Sequence, residues 1–174
     1  MSGTGQIEYK WTYSTRFIPD ILNRAKWRNT LTYQVNSRLS VGVEYNPLAG
    51  KVSPLANFVA VTETKARPAL ILGTSSDRIG TPSGQSFYAT LSKNLERETG
   101  LPIAPYFGIT YGTYEKRFRP IGGLNIYLPK NFSSTILFDG VKVHPLVNYN
   151  YGRHQFGFML VQGKKAGFSY SVSF

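Results

Sequence analysis

The sequence predicts an all-β protein: an antiparallel up-and-down transmembrane β-barrel of about twelve strands, filling residues 1–174 as one domain. Three observations predict it. Apolar and polar residues alternate with period two through almost the whole chain, which makes strands with two different faces. Most alternating stretches run eight to ten residues, close to the ~9–11 that a tilted strand needs to cross a bilayer. No window approaches the roughly 18 consecutive apolar residues of a membrane helix. Contact with lipid therefore requires a closed sheet, because lipid leaves open backbone groups without partners.

Composition fits a surface partly in lipid. Aromatics make up 14% of the chain, with 12 Tyr and 11 Phe, while charged residues reach only 17%, below the roughly 25% of soluble domains. A soluble β-sandwich shares this profile. The chain has no cysteine, which excludes a disulfide framework, a thiolate metal site and a Cys nucleophile. The formal net charge is +11, so the placement of the basic residues has to be explained.

The first strand, over 5–16, sets Ile7, Tyr9, Trp11 and Tyr13 against Gln6, Glu8, Lys10, Thr12 and Ser14. Alternation alone does not say whether the apolar face points inward, as in a soluble barrel, or outward, as in a membrane barrel. Pro19 breaks the pattern, and 17–26 reads as a loop with one helical turn near Ile21 and Leu22. Strands follow over 27–35, 39–46, 57–64, 68–75, 85–94 and 103–112, then 121–128, 132–139, 143–151, 155–162 and 166–174. Matching of faces places Val35 opposite Leu39, Thr64 opposite Pro68 and Leu128 opposite Phe132. In the last hairpin it sets Leu160 against Phe168, Phe158 against Tyr170 and Phe156 against Val172, around Gly163-Lys164-Lys165. Short turns at 36–38, 65–67, 129–131 and 152–154 share one end. Longer connections at 17–26, 47–56, 76–84 and a basic 113–120 share the other. The segment 95–102 is too long for its end, and a different division there leaves ten strands.

The last nine residues are Ala166-Gly167-Phe168-Ser169-Tyr170-Ser171-Val172-Ser173-Phe174. With Lys165, they resemble the ends of bacterial outer-membrane β-barrel proteins: a polar residue, Gly, an aromatic, an apolar residue and a terminal Phe. Lys165, Gly167, Tyr170, Val172 and Phe174 occupy these positions. The resemblance implies an insertion signal read by the barrel-assembly machinery, an outer-membrane location and both termini on the periplasmic side. The run from 67 to 174 also faintly resembles barrels associated with exopolysaccharide secretion. Met1 to Gly5 has no apolar h-region and no cleavage site. An exported barrel therefore implies a signal peptide already removed, the alternative being a chain that is never exported.

The expected exterior girdle is Tyr9, Trp11, Tyr13, Trp27, Tyr149, Tyr151, Phe156, Tyr170 and Phe174. Glu8, Lys10, Arg28, Glu44, Asn148 and Asn150 are the candidates to line the lumen, with Thr30, Thr32, Asn125, Tyr127, Ser169 and Ser171 beside them. In the lumen, Glu8, Lys10, Arg28 and Glu44 either brace the wall as a charge network or flank a narrow aqueous path. Small twelve-stranded channels that resemble this arrangement pass anionic oligosaccharides along basic tracks. The expected function is thus a narrow channel or porin for small anionic solutes or glycans. The alternative is a non-conducting structural, assembly or secretion-associated component.

Arg16, Arg24, Lys26, Lys51, Arg78, Lys116, Arg117, Arg119, Lys142, Lys164 and Lys165 are expected in the outer loops, within reach of lipopolysaccharide phosphates. Basic and aromatic residues lie mostly on opposite faces or in different loops, which argues against nucleic acid as a partner. A membrane-embedded lipid hydrolase with a Ser/His pair is the third reading. The histidines are His144, before Pro145 at a strand start, and His154, in a turn. No carboxylate pair, metal-ligand cluster or phosphate-binding loop appears at meaningful spacing, so neither enzyme activity nor a cofactor is expected.

Overall fold

The structure, a computed structural model, describes residues 9–174. Ile7 and Glu8, and with them the start of the first expected strand, lie outside the described residues. The chain forms twelve antiparallel strands: β1 (Trp11–Phe17), β2 (Trp27–Gln34), β3 (Leu39–Asn46), β4 (Lys51–Val61), β5 (Ala69–Ser76) and β6 (Gln85–Ser92), followed by β7 (Ile103–Gly112), β8 (Arg117–Tyr127), β9 (Phe132–Phe138), β10 (Val143–Tyr151), β11 (His154–Val161) and β12 (Lys165–Ser173). Each strand pairs with its sequence neighbours, and β12 returns to β1 to close the barrel. Among the described residues three short helical segments interrupt the pattern, α1 (Asn23–Lys26), a 3-10 turn at Pro47–Ala49 and α2 (Glu96–Thr99). The long 95–102 connection therefore holds a helical turn, and the count is twelve.

The apolar faces point outward. Trp11, Tyr13, Phe17, Trp27, Phe87, Phe107, Phe118, Phe156 and Phe168 are all exposed large side chains. The opposite faces carry Thr12, Ser14, Thr30, Thr32, Asn148, Ser169 and Ser171 on strands paired in register, so polar residues line the interior. A one-residue slip in any ladder would exchange the two sets. Aromatic pairs run along the exterior: Trp11 with Tyr33, Phe132 with Tyr149, and Phe156 with Tyr170, at centroid separations of 4.7, 4.9 and 5.4 Å.

Turn chemistry sets the registers that facing leaves open. Leu39 O accepts from Val35 N–H at 2.9 Å, and Phe132 O accepts from Leu128 N–H at 2.9 Å, as the facing argument requires. Lys130 and Asn131 take positive φ values of 59° and 66° in that second turn, the geometry that matches strand twist in tight hairpins. The final hairpin departs from expectation by two residues. Phe158 pairs with Phe168 and Phe156 with Tyr170. Gln162 and Gly163 (φ 58° and 67°) make the turn, rather than a loop centred on Lys164. A two-residue shift keeps every face unchanged, so only the turn distinguishes the two pairings. In the β4–β5 hairpin the Thr64 N–H donates to Arg67 O at 3.0 Å and Val61 pairs with Leu70, one residue away from Thr64 opposite Pro68, and a bulge between Val59 and Val61 shifts the ladder by one more.

Loop lengths also differ from expectation. Strand β4 begins at Lys51 and β8 at Arg117, which shortens two connections expected to be long. The connections at 18–26 and 77–84 are balanced by 62–68 and 93–102 at the opposite end, so the two ends are not simply long and short.

Inside the sheet, two tyrosines lie over glycines on neighbouring strands. Tyr88 covers Gly73, and a Cβ on Gly73 would meet the Tyr88 ring and come within 2.7 Å of the Ala56 carbonyl. Tyr106 covers Gly123, where a Cβ would fall 2.7 Å from the ring. Each aromatic shields bare backbone and fills part of a wide interior. Gly73→Val is expected to displace Tyr88 and destabilise the folded barrel by about 1–3 kcal/mol. The temperature at which the unboiled form loses its compact gel mobility measures this.

Candidate functional site

The interior is divided along its axis. At the end carrying 18–26, 77–84 and 113–116, the chain folds back into the mouth. Ile18 is fully buried against Met159 and Val161, with Ile21, Ile79 and Leu146 around them. This apolar cluster seats on Gly167, where a Cβ would stand 2.6 Å from Ile18 Cγ1 and 3.0 Å from Met159 Cγ. Segment 18–26 thus forms a cork, and α1 sits within it.

Arg24 fixes the cork to the neighbouring loop. Its side chain is buried, and its Nε donates to Thr81 O at 2.7 Å. Its Nη2 donates to Asp77 O at 2.9 Å, Arg78 O at 2.6 Å and Thr81 Oγ1 at 3.2 Å. Burial draws the Arg24 pKa below the ordinary arginine value. The fan of carbonyl acceptors offsets that cost by solvating the planar fork in place of water. The Nζ of Lys165 adds a hydrogen bond to Asp20 O.

Below the cork lies a charged layer. Arg16 and Arg28 are directly opposite one another on β1 and β2. Arg28 Nε meets Glu44 Oε2 at 2.6 Å, and Glu44 Oε1 accepts from Asn46 Nδ2 at 2.8 Å. Glu44 and Asn46 are fully buried. Next to this layer is a cavity of about 250 Å³, whose lining includes Arg28, Thr30, Thr32, Ser40, Asn57 and Tyr88. The Tyr88 hydroxyl donates to Asn57 Oδ1.

The sequence candidates fall into place unevenly. Glu8 lies outside the described residues. Lys10 is exposed at the opposite mouth, six residues along β1 from the level of Arg28, or about 20 Å at the rise of a strand. The four-membered network imagined for Glu8, Lys10, Arg28 and Glu44 is therefore, among the described residues, the single pair Arg28–Glu44. Asn148 faces inward beside Gly157 and Ser169. Asn150 accepts from Gln155 Nε2 at 2.8 Å and donates to Asn131 O at 3.1 Å. Both asparagines belong to the wall on the side away from the cavity.

Two arginines expected in outer loops lie in the interior instead. Arg16 belongs to the polar face of β1, in step with Thr12 and Ser14, so its parity was a usable signal. Arg24 has no such signal, because a loop has no period. Lys165 and Arg119 are also strand residues, and Lys51 and Arg117 begin strands; these last two, with Lys116, Lys142 and Lys164 in the connections, are exposed at the corked end.

The remaining motifs find structural roles. In the C-terminal strand, Gly167 seats the cork, and the Tyr170 hydroxyl bonds His154 Nδ1 at 2.7 Å. Phe174 exchanges two backbone hydrogen bonds with Trp11, each 2.9 Å. His144 is buried with both nitrogens engaged: Nε2 with Asp139 Oδ2 at 3.0 Å, and Nδ1 accepting from Gln162 N–H at 3.2 Å. This imidazole clasps two loops together and has no nitrogen left to serve as a base.

No family model matches this chain, and a search of curated proteins finds no similar one.

A second clasp carries a pH signature. Glu115 bonds Arg78 at 2.7 Å and Arg119 at 2.7 Å, joining 113–116 to 77–84. These hydrogen bonds hold its pKa down at about 2. Burial pushes Asp139 up, but bonds from His144 and from the Lys142 and Val141 amides leave it below the ordinary value. A carboxyl depressed by folding adds stability above its unfolded pKa and loses it as pH falls toward the folded one. Glu115→Gln is expected to be less stable at neutral pH and to lose less stability between roughly pH 5 and 2. Asp139 supplies the acid dependence that remains, and denaturant titration across that range checks both.

Proposed function

We propose that this chain spans a bacterial outer membrane and that its lumen is a narrow path for small anionic solutes or glycans, held shut in this conformation by the 18–26 cork. The observation that carries the reading is an outward apolar face around all twelve strands, paired with an interior that is polar and arginine-bearing outside the apolar cluster at the corked mouth. A soluble barrel gains its stability by burying the apolar face. This one leaves that face open over its circumference and fills its interior with Thr, Ser, Asn and charged groups. No described helix is long and apolar enough to cross a membrane, so crossing would be by strands, which the closed ladder permits.

Lys165, Gly167, Tyr170, Val172 and Phe174 would serve as the signal for the barrel-assembly machinery, since the β12 edge is what closes on β1. The exposed basic residues at the corked end, Lys51, Lys116, Arg117, Lys142 and Lys164, suit contact with lipopolysaccharide phosphates. The arginines of the lumen would favour anions over cations.

A second reading draws on the cork itself. Its apolar seat under Ile18 is that of a permanent plug, and a non-conducting structural or assembly component would carry one.

The decisive experiment begins with the chain folded into detergent. A boiling-dependent change in gel mobility, with folding that requires detergent, is expected of a membrane barrel. A β-rich monomer that stays soluble without detergent would end this reading. In planar bilayers, the wild-type chain is expected to be closed or to open briefly. Arg24→Ala, which removes the bonds holding the cork, is expected to open it at least about tenfold more often, since roughly 1.4 kcal/mol of lost closure suffices. Silence from both folded proteins would favour the structural reading.

A further inference from the structure

We infer that the lumen contains a binding site for a small oxyanion, a carboxylate or a phosphate group, between the guanidinium groups of Arg16 and Arg28. The inference rests on the lumen reading only for how the ligand arrives; the site is a feature of the barrel wall. Arg16 and Arg28 are direct cross-strand partners, an arrangement of like charges that is unfavourable unless something opposes it. The charges nearby do not oppose it in full. Glu44 is taken by Arg28 and Asn46. Of the carboxylates near the cork, Asp77 accepts from the backbone N–H groups of Arg78 and Tyr114 at 2.8 and 3.2 Å, and Asp20, in the cork itself, is exposed. The fork of Arg24 is spent on carbonyl and hydroxyl oxygens.

Arg16 is left over. Its Nε is buried and meets no acceptor among the described residues. A buried donor of this kind calls for a partner, and for a guanidinium the fitting partner is a planar or tetrahedral oxyanion held by two N–H groups. Arg16 and Arg28 are both half-buried rather than sealed, and Arg28 also lines the 250 Å³ cavity. Among the other residues of the cavity wall, Thr30, Thr32, Ser40, Asn57 and Tyr88 offer hydroxyl and amide groups without charge, and Leu55 and Ala56 add apolar surface. The anionic group would be fixed by the arginines, with a hydroxylated body beside it.

The test uses the whole chain folded in detergent, with inorganic phosphate and acetate as separate probes. Binding is read by calorimetric titration, and unfolding temperature by loss of compact gel mobility. Saturable binding is expected, with a matching rise in unfolding temperature. Tighter phosphate binding would indicate a phosphate-bearing solute, and tighter acetate binding a carboxylate. Arg16→Gln is expected to weaken binding by roughly tenfold to a hundredfold, the worth of one charged hydrogen bond. Glu44→Gln is expected to tighten it, because Arg28 is released. Absence of saturable binding to the folded wild-type chain would overturn the site whether or not the variants fold. So would binding that Arg16→Gln leaves unchanged. Conductance does not enter this readout, so a silent barrel that binds phosphate would reject the channel and keep the site.

Discussion

Closure of the sheet between β1 and β12 is the constraint on which the rest depends. Trp11 and Phe174 exchange backbone hydrogen bonds, and the seam continues through Tyr13 with Val172 and Phe17 with Phe168. An open sheet with these faces would present two unpaired edges and an apolar surface, which is a template for aggregation. Closure removes both edges and commits every side chain to one side or the other. Facing then propagates around the ring, because each ladder inherits its parity from the one before. Prolines mark the limits of this arrangement. Pro54, Pro105, Pro120 and Pro145 all lie at outward positions in strands, and Pro120 sits on the part of β8 that extends past its pairing with β9.

A ring of twelve strands encloses more space than wall side chains fill. The chain meets this in three ways along the axis. At one end, it turns 18–26 inward and builds an apolar cluster of ordinary kind from Ile18, Met159 and Val161. In the middle, Tyr88 and Tyr106 lie flat across Gly73 and Gly123, so that bare backbone becomes a surface to pack on. Between these, the space stays polar and partly open, and the arginines gather there. The glycines are therefore not spread for flexibility. Gly73, Gly123 and Gly167 stand where a Cβ would collide with the side chain that crosses them.

Much of this was legible in the sequence because alternation is a strong signal on strands. Ten of the twelve strands lie within two residues of where period two places them at each end, apart from the start of β1, expected at residue 5 outside the described residues and observed at Trp11. Strands β4 and β8 extend earlier, through Pro54 and Pro120, which read as loop residues. What alternation cannot encode was misread. The final hairpin slipped by two because Phe158 matches Phe168 and Tyr170 equally well. Arg24 reads as a rim residue because nothing in 17–26 says that the loop turns inward. The inward placement of Arg16 was available from its parity, but a positive charge at a strand end is easily assigned to the rim. The outward direction of the apolar faces was beyond alternation altogether, and the three-dimensional closure decided it.

The last strand shows how two demands share one short stretch of chain. Its even residues, Phe168, Tyr170 and Val172, face outward and carry the aromatic pattern, while its odd residues, Gly167, Ser169 and Ser171, face the lumen. A signature that looks like an address on the outside is therefore a packing surface on the inside. Gly167 is common to both descriptions: it occupies the glycine position of the motif and forms the seat of Ile18. This links assembly to the state of the lumen. Ile18 follows directly on β1, and its seat belongs to β12, so the cork has nothing to pack against until those two strands have met. The bonds of Arg24 to 77–84 can form within the first half of the chain, but the apolar cluster beneath them cannot. A barrel that has not yet closed is accordingly one whose mouth is not yet sealed, and sealing follows from the same pairing that completes the sheet.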